Sequence, residues 1–291
     1  SLSFKNHVDD VITKIKEHII GKKIIEVGCG KGYLVNLLYS NGYNIIGFDK
    51  SYNGDKSYII KSFFDNKSKV KGDFIILRHV LEHIKNPINF LFELKKNNNN
   101  KGLIYIEVPC LEWILKTYSF FDITYEHVNY FTISNFRSMF SNITDIGHCF
   151  NGQYIYLIAD LESLQMNNYK IKPVIFPIDF LKHLKNHINK FEYPLNKCSA
   201  IWGAGGKGVQ YSVAIKNWFK KFNLKGNVDY IIDNNPAKQN KYVGYSGCKI
   251  ISPTDALDIL PEGSNIIIMN PNYEREIIEM SKGKFKYFLA Q

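Results

Sequence analysis

The residues best equipped for chemistry stand in three short stretches. Residues 24–32 read IIEVGCGKG, an apolar run that breaks into glycines. Gly28 and Gly30 let the backbone pass close to a ligand with no Cβ in the way, and the helix expected after them aims free N–H groups at it. Asp49 closes the next apolar run, with Lys50 behind it, where a carboxylate can accept hydrogen bonds from a ribose diol. The second stretch runs from Arg78 to His83 and sets His79, Glu82 and His83 close together. On a helix, His79 and His83 would share a face. In the third, FFDITYEHVNYFT (120–132), Glu126 and His127 form a polar pair inside an aromatic wall. A carboxylate beside a histidine can raise the imidazole pKa and orient the ring as a general base. The H-x-x-E-H spacing also occurs in metalloproteases, but here it follows a strand, and no metal site is read from it.

The elements that must hold these residues are legible from periodicity. Short apolar runs at 22–28, 44–49, 57–60, 72–78 and 102–109 read as strands, and 33–42 and 87–96 between them have helical spacing. That alternation implies a mostly parallel sheet covered by helices on both faces. Residues 143–150 and 152–160 read as a closing antiparallel pair with a tight turn at Asn151-Gly152. A second α/β unit opens at SAIWGAGGKG (199–208), with further strands at 228–236, 264–272 and near the C-terminal KYFLA. The expected boundaries are 1–160 for the first domain, a helical connector over 161–196 with a helix across 180–191, and 197–291 for the second domain.

Bulk properties narrow the options. The 291 residues are 45% hydrophobic and 22% charged, a composition that can bury a core. No apolar run approaches the ~20 residues that span a bilayer. The N-terminal segment repeats Phe4, Val8, Val11, Ile12, Ile15 and Ile19 at helical spacing instead of forming a signal-peptide core. A cytoplasmic location is expected. Cys29, Cys110, Cys149, Cys198 and Cys248 are scattered without a C-x-x-C pair, which reads as reduced, mostly buried thiols. The net charge of +10 is diffuse, with no basic arm or Arg-rich strip. Nucleic acid and membrane are therefore not expected partners; an anionic small molecule is.

The residues also carry a resemblance. E-V-G-C-G-x-G, with Glu26 opening the turn and Asp49 ending the second strand, resembles the first motifs of class I methyltransferases that use S-adenosylmethionine (SAM). GDFIILRHVLEHI (72–84) resembles their fourth-strand motif. The fold this implies is α/β: a class I SAM-methyltransferase Rossmann-like domain with a second, smaller Rossmann-like α/β domain. The implied cofactor residues are Glu26, Gly28, Cys29, Gly30, Asp49, Lys50, Arg78 and His79. Y-E-H-V-N-Y-F-T (125–132), GAGGKG (203–208), DNNPAKQNKYVG (233–244), ISP (251–253) and NPNY (270–273) are similar to the sugar C-methyltransferases that act on nucleotide-linked keto-sugars. In that family the match to His127 is the base, and the matches to Glu126 and His83 assist it. Its C-terminal domain encloses the substrate. Two departures stand out: this sequence lacks the family's zinc-binding C-x-x-C pairs, and Thr124 occupies the place of a tyrosine. The second departure opens O- or N-methylation beside C-methylation. An NAD-dependent oxidoreductase or epimerase is the competing enzyme class. Against it, neither glycine-rich turn is read as a full G-x-G-x-x-G fingerprint, and no Tyr-x-x-x-Lys pair stands in a suitable helix. A non-catalytic binding protein is the third possibility, opposed by the intact Gly28, Gly30 and Asp49.

Overall fold

The structure, a computed structural model, describes residues 1–166, 174–180, 182–183, 199–223 and 228–290. β-Branched runs become strands: β1 (Lys23–Val27), β2 (Asn44–Phe48), β3 (Ile59–Ile60), β4 (Phe74–Arg78), β5 (Leu103–Pro109), β6 (Ile143–Cys149) and β7 (Tyr154–Asp160). They form one sheet in the order β3-β2-β1-β4-β5-β7-β6. β1 to β5 run parallel, while β7 pairs antiparallel with both β5 and β6. Alternate residues feed two cores, as a sheet covered on both faces requires. Ile25, Ile75 and Ile104 enter one core with Leu91 and Leu94 of the helix Pro87–Asn97. Ile24, Ile76 and Tyr105 enter the other. There Val8, Val11, Ile15 and Ile19 of the helix Leu2–Ile19 are fully buried, each contributing about 1.5–3 kcal/mol of burial.

The antiparallel pair expected at the end of the sheet is present, but its turn is longer than a two-residue one. The last cross-strand pair is Cys149 with Tyr154. Phe150, Asn151 and Gly152 all adopt left-handed φ (51°, 54° and 87°), so Asn151-Gly152 is only the middle of the loop. Leu161 and Leu164, read as connector, pack into the first core. The rest of the expected connector, with Cys198 and most of the helix foreseen across 180–191, lies outside the described residues. Among the described residues, no helix is long and apolar enough to cross a membrane.

The second sheet contains β8 (Ser199–Trp202), β9 (Val228–Ile232), β10 (Lys249–Ile251), β11 (Asn265–Ile268) and β12 (Lys286–Leu289). All its pairings are parallel, in the order β10-β9-β8-β11-β12. Its first strand, like that of the first sheet, runs into a glycine-rich turn and then a helix, Gly206–Phe222. The chain divides into two compact units: Asn6–Trp113 with Tyr125–Ile175, and Phe176–Gln291 with Ser1–Lys5 and Ile114–Thr124.

Gly208 fixes the join between β8 and its helix, because a Cβ there would lie 1.8 Å from the Gly203 carbonyl oxygen. Backbone on both sides cannot yield as a flexible side chain could. Gly208→Ala is expected to destabilise the second unit by about 1–3 kcal/mol or more, read by urea denaturation as a midpoint shift of the transition reported by Trp202.

Candidate functional site

The glycine turn after β1 is built against the end of β2. Gly28 N donates to Phe48 O at 2.7 Å, and with φ at +74° a Cβ on Gly28 would strike Val80 Cγ2 at 2.4 Å. Gly30, also left-handed at φ +56°, is different: a Cβ there meets nothing within 4 Å. The first glycine is required by packing, and the second leaves backbone facing open space. Asp49 is locked across the turn. Its Oδ2 accepts from Gly30 N at 2.7 Å, and its Oδ1 accepts from Ser51 N at 2.7 Å and Ser51 Oγ at 2.6 Å.

Gly28, Asp49 and Lys50 line a cleft of about 660 Å³ together with Ser62, Phe63 and Val80, a volume suited to a nucleotide-sized ligand. The Lys50 ammonium sits 4.9 Å from the centre of the Phe63 ring. The Phe63-Phe64 wall escaped the sequence reading; the signal was an aromatic pair directly after a short apolar strand, which periodicity alone assigns to core. Cys29 is half-buried, and burial pushes its thiol up to about 12, so it is a packing residue and not a nucleophile. Glu26 is buried beneath the turn with Oε2 lacking a hydrogen-bond partner. Burial raises its carboxyl to about 7, with the Arg78 charge partly opposing the rise.

Arg78 and His79 turn to a buried carboxylate that the sequence did not flag. Glu107, on β5, is completely buried. Its Oε1 receives Arg78 Nη2 at 3.0 Å, His79 Nε2 at 3.0 Å and His7 Nε2 at 3.1 Å. Its Oε2 accepts from Tyr105 Oη at 2.9 Å. Burial alone would raise Glu107, but the Arg78 charge and the bonds from His7 and His79 outweigh it and hold the carboxyl well below the usual range. For His79 the balance is the mirror image. Burial would lower the imidazole, yet hydrogen bonds to Glu107 and Glu82 lift it to about 9.

The expectation that His79 and His83 share a helical face fails. His79 has a left-handed backbone (φ 53°), which breaks the chain direction before the 3₁₀ turn Leu81–His83 begins. His79 therefore faces Glu107, while His83 Nδ1 meets the carbonyl of Glu126 at 2.8 Å. Glu82 O accepts from the amides of Val128 and Asn129 at 2.9 and 3.1 Å. These backbone bonds tie the loop around 126–129 onto the turn after β4. As a result the rings of His83 and His127 stand 4.9 Å apart, edge to face.

The expected Glu126–His127 partnership is replaced by this one. The Glu126 side chain is exposed, because neighbouring residues in the loop point apart, and the buried carboxylate near the two rings is Glu82. Donor atoms of Glu82, His83 and His127 lie within 4.8 Å of one another, a set able to move a proton or to hold a cation. Glu82 Oε1 lies 3.3 Å from His79 Nδ1, and His83 Nδ1 is on the Glu126 carbonyl.

Residues 6–143 match a family model described as a methyltransferase domain. A ubiquinone biosynthesis O-methyltransferase of Rickettsia bellii is 30% identical over 112 residues, 33% of this chain and 47% of that protein. A tRNA U34 carboxymethyltransferase of Campylobacter lari is 25% identical over 122 residues, 35% of this chain and 40% of that protein. The chain thus spans about half the length of the curated relatives it matches. Among solved structures, a SAM-dependent methyltransferase from Archaeoglobus fulgidus has a TM-score of 0.37 at 17% identity, covering 53% of this chain and 94% of its own. The first sheet and its helices are a methyltransferase domain with the Rossmann-like fold of class I, and the cofactor of that domain is S-adenosylmethionine.

His79 makes stability pH-dependent in a defined window. Its folded-state pKa, about 9, lies above its ordinary 6.5, so the folded protein holds a proton that the unfolded chain releases. That stabilisation is fully present below pH 6.5 and is lost as pH rises through 9. Thermal melts should show a midpoint falling between these values, and His79→Gln should flatten that slope. An unchanged slope in the variant would count against the assignment.

Proposed function

We propose that this chain is a SAM-dependent methyltransferase acting on a sugar, presented as an anionic nucleotide-linked molecule. The observation that carries the reading is the placement on one sheet of an Asp49 cleft and the His83–His127 pair. The residues fit the cofactor. Asp49 offers a carboxylate to a ribose diol, Gly30 leaves an open backbone, and Glu26 holds an unpartnered buried oxygen under the turn. When bound, SAM supplies a methyl group already activated on a sulfonium, so alignment and proton removal are what the protein must add.

His127 is the residue assigned to take the proton from the acceptor. His83 supports it in a fixed tautomer. A carbonyl oxygen only accepts, so the contact with Glu126 O keeps the hydrogen on His83 Nδ1 and leaves Nε2 as an acceptor. Glu82 is buried beside them, its donor atom within 4.8 Å of theirs. The sugar class draws on the similarity of residues 125–132 and of the C-terminal motifs to the sugar C-methyltransferases. The diffuse charge of +10 suits an anionic small molecule better than a nucleic acid, which calls for a clustered basic strip.

O-methylation is the second reading. Thr124 stands where that family has a tyrosine, and its hydroxyl accepts from Gln210 Nε2 at 2.6 Å. A group that would settle a carbon enolate is thus missing from this position, whereas a sugar hydroxyl needs only the base.

Calorimetry with S-adenosylhomocysteine should give one-site binding, weakened at least tenfold by Asp49→Asn. His127→Gln should cut turnover about 10²–10⁴-fold while leaving that affinity intact, and dialysis against EDTA should leave turnover unchanged. Failure to bind either SAM or its demethylated product would overturn the reading. Mass spectrometry of nucleotide-sugars incubated with labelled SAM would locate the methyl on carbon or oxygen.

A further inference from the structure

The unit that carries the second sheet has a cleft of its own, about 770 Å³, at the carboxyl ends of β8, β9 and β11. Its polar side is made by Gly205, Lys207, Asp233 and Lys238, and its apolar side includes Trp202 and Tyr273. The turn beneath it was not credited with a full fingerprint from sequence, but Gly203, Gly205 and Gly208 do occupy all three positions of G-x-G-x-x-G. Each meets the physical requirement of its place. Gly203 has φ +115°, Gly205 has open space where a Cβ would be, and Gly208 packs against the Gly203 carbonyl with no room for one. The helix that follows, Gly206–Phe222, is 17 residues long, and its N-terminus opens at the cleft.

Asp233, at the end of β9, is held much as Asp49 is, although the turn amide it accepts comes one residue after the first glycine instead of two. In the first sheet Gly28 N donates to Phe48 O (2.7 Å) and Asp49 N to Ile60 O (3.1 Å); in the second, Gly203 N donates to Ile232 O (2.8 Å) and Asp233 N to Ile251 O (3.0 Å). Asp49 accepts from Gly30 N and Ser51 N, both at 2.7 Å. Asp233 accepts from Ala204 N and Asn235 N, both at 2.8 Å. Such a carboxylate next to a glycine turn reads a ribose diol. Lys238 Nζ lies 3.3 Å from Asp233 Oδ2 and donates to Ala204 O at 2.9 Å, which places a positive charge beside the turn where a diphosphate would lie. Both lysines of the cleft stand in ion pairs, Lys207 with Asp122 and Lys238 with Asp233; Lys238, which also reaches the Ala204 carbonyl of the turn, is the cation assigned to that role.

We propose that this cleft is a second nucleotide site, separate from the SAM cleft, that binds a ribonucleoside 5′-diphosphate. Asp233 reads the 2′- and 3′-hydroxyls, the open backbone at Gly205 and the helix N-terminus receive the diphosphate, and Trp202 and Tyr273 flank the base. The assignment does not rest on the methyltransferase reading, since no residue of the Asp49 cleft takes part.

The test is calorimetry on the full chain with S-adenosylhomocysteine saturating the first site. ADP and UDP are titrated, then ADP-ribose and UDP-glucose, with 2′-deoxy-ADP and 2′-deoxy-UDP as controls. At least one ribonucleotide should bind one-to-one. Loss of the 2′-hydroxyl should weaken it about tenfold, and Asp233→Asn should cost a similar factor without adding to the deoxy loss. Gly205→Ala, whose Cβ meets no protein atom, should keep the melting temperature and the S-adenosylhomocysteine affinity while losing about tenfold in nucleotide affinity. Tighter binding of ADP-ribose would mark a dinucleotide as the ligand, and tighter binding of UDP-glucose a nucleotide-linked sugar. No heat from any nucleotide overturns the proposal. So does equal binding of the deoxy forms, or binding that Asp49→Asn abolishes and Asp233→Asn does not.

Discussion

A carboxylate shut away from water governs the architecture of the methyltransferase domain. Burying Glu107 as an anion costs several kcal/mol unless opposite charge and hydrogen bonds surround it. Arg78, His79, His7 and Tyr105 supply them. Those partners come from the end of β4, the N-terminal helix and β5 itself, so one group fixes three elements at the carboxyl ends of the strands. It also explains the left-handed backbone of His79: the residue gives up a regular conformation so that amide and ring both reach Glu107, the amide at 2.9 Å from its carbonyl. A substitution that removed the carboxylate would strand a buried guanidinium, the more damaging half of a broken pair.

The break at His79 has a consequence further along the chain. Because the backbone changes direction there, the following 3₁₀ turn presents Glu82 O to the amides of Val128 and Asn129. That bond pair brings two histidines, distant in sequence, to 4.9 Å. The chemistry assigned to His127 therefore depends on a charge network that never touches it directly. The strand-end turn holds the loop through Glu82 O and Ile84 O.

Both sheets solve the same problem in the same way. A strand ends in glycine, the turn hands an amide to an aspartate on the neighbouring strand, and the aspartate side chain is held by the backbone two residues on. In each, a parallel sheet leaves its strand ends open and a helix N-terminus points into the gap. The differences lie in the walls: Phe63 and Val80 in one cleft, Trp202 and Tyr273 in the other. Shared construction with different walls is how one framework comes to hold different ligands.

Periodicity and glycine spacing were enough to read both α/β units, the mostly parallel character of the first sheet and the Asp49 turn, because these follow from local rules: which residues extend, which break, and which side of a strand is buried. The same rules placed Gly28 and Gly30 without distinguishing that one is demanded by Val80 and the other faces open space. Glu107 was invisible because an isolated glutamate in an apolar strand carries no signal until its partners, 29 and 100 residues away, are folded against it. Likewise the spacing of His79 and His83 suggested a shared helical face, whereas Glu107 pulled one ring inward and left the other for Glu126 and His127. Glu126 looked like the partner of its neighbour and proved to offer a carbonyl to His83 instead. Local spacing thus determined the elements and the glycine turn after β1. Which acid meets which base was decided only by the tertiary fold, because a buried charge takes its partners from whatever the packing brings within about 3 Å.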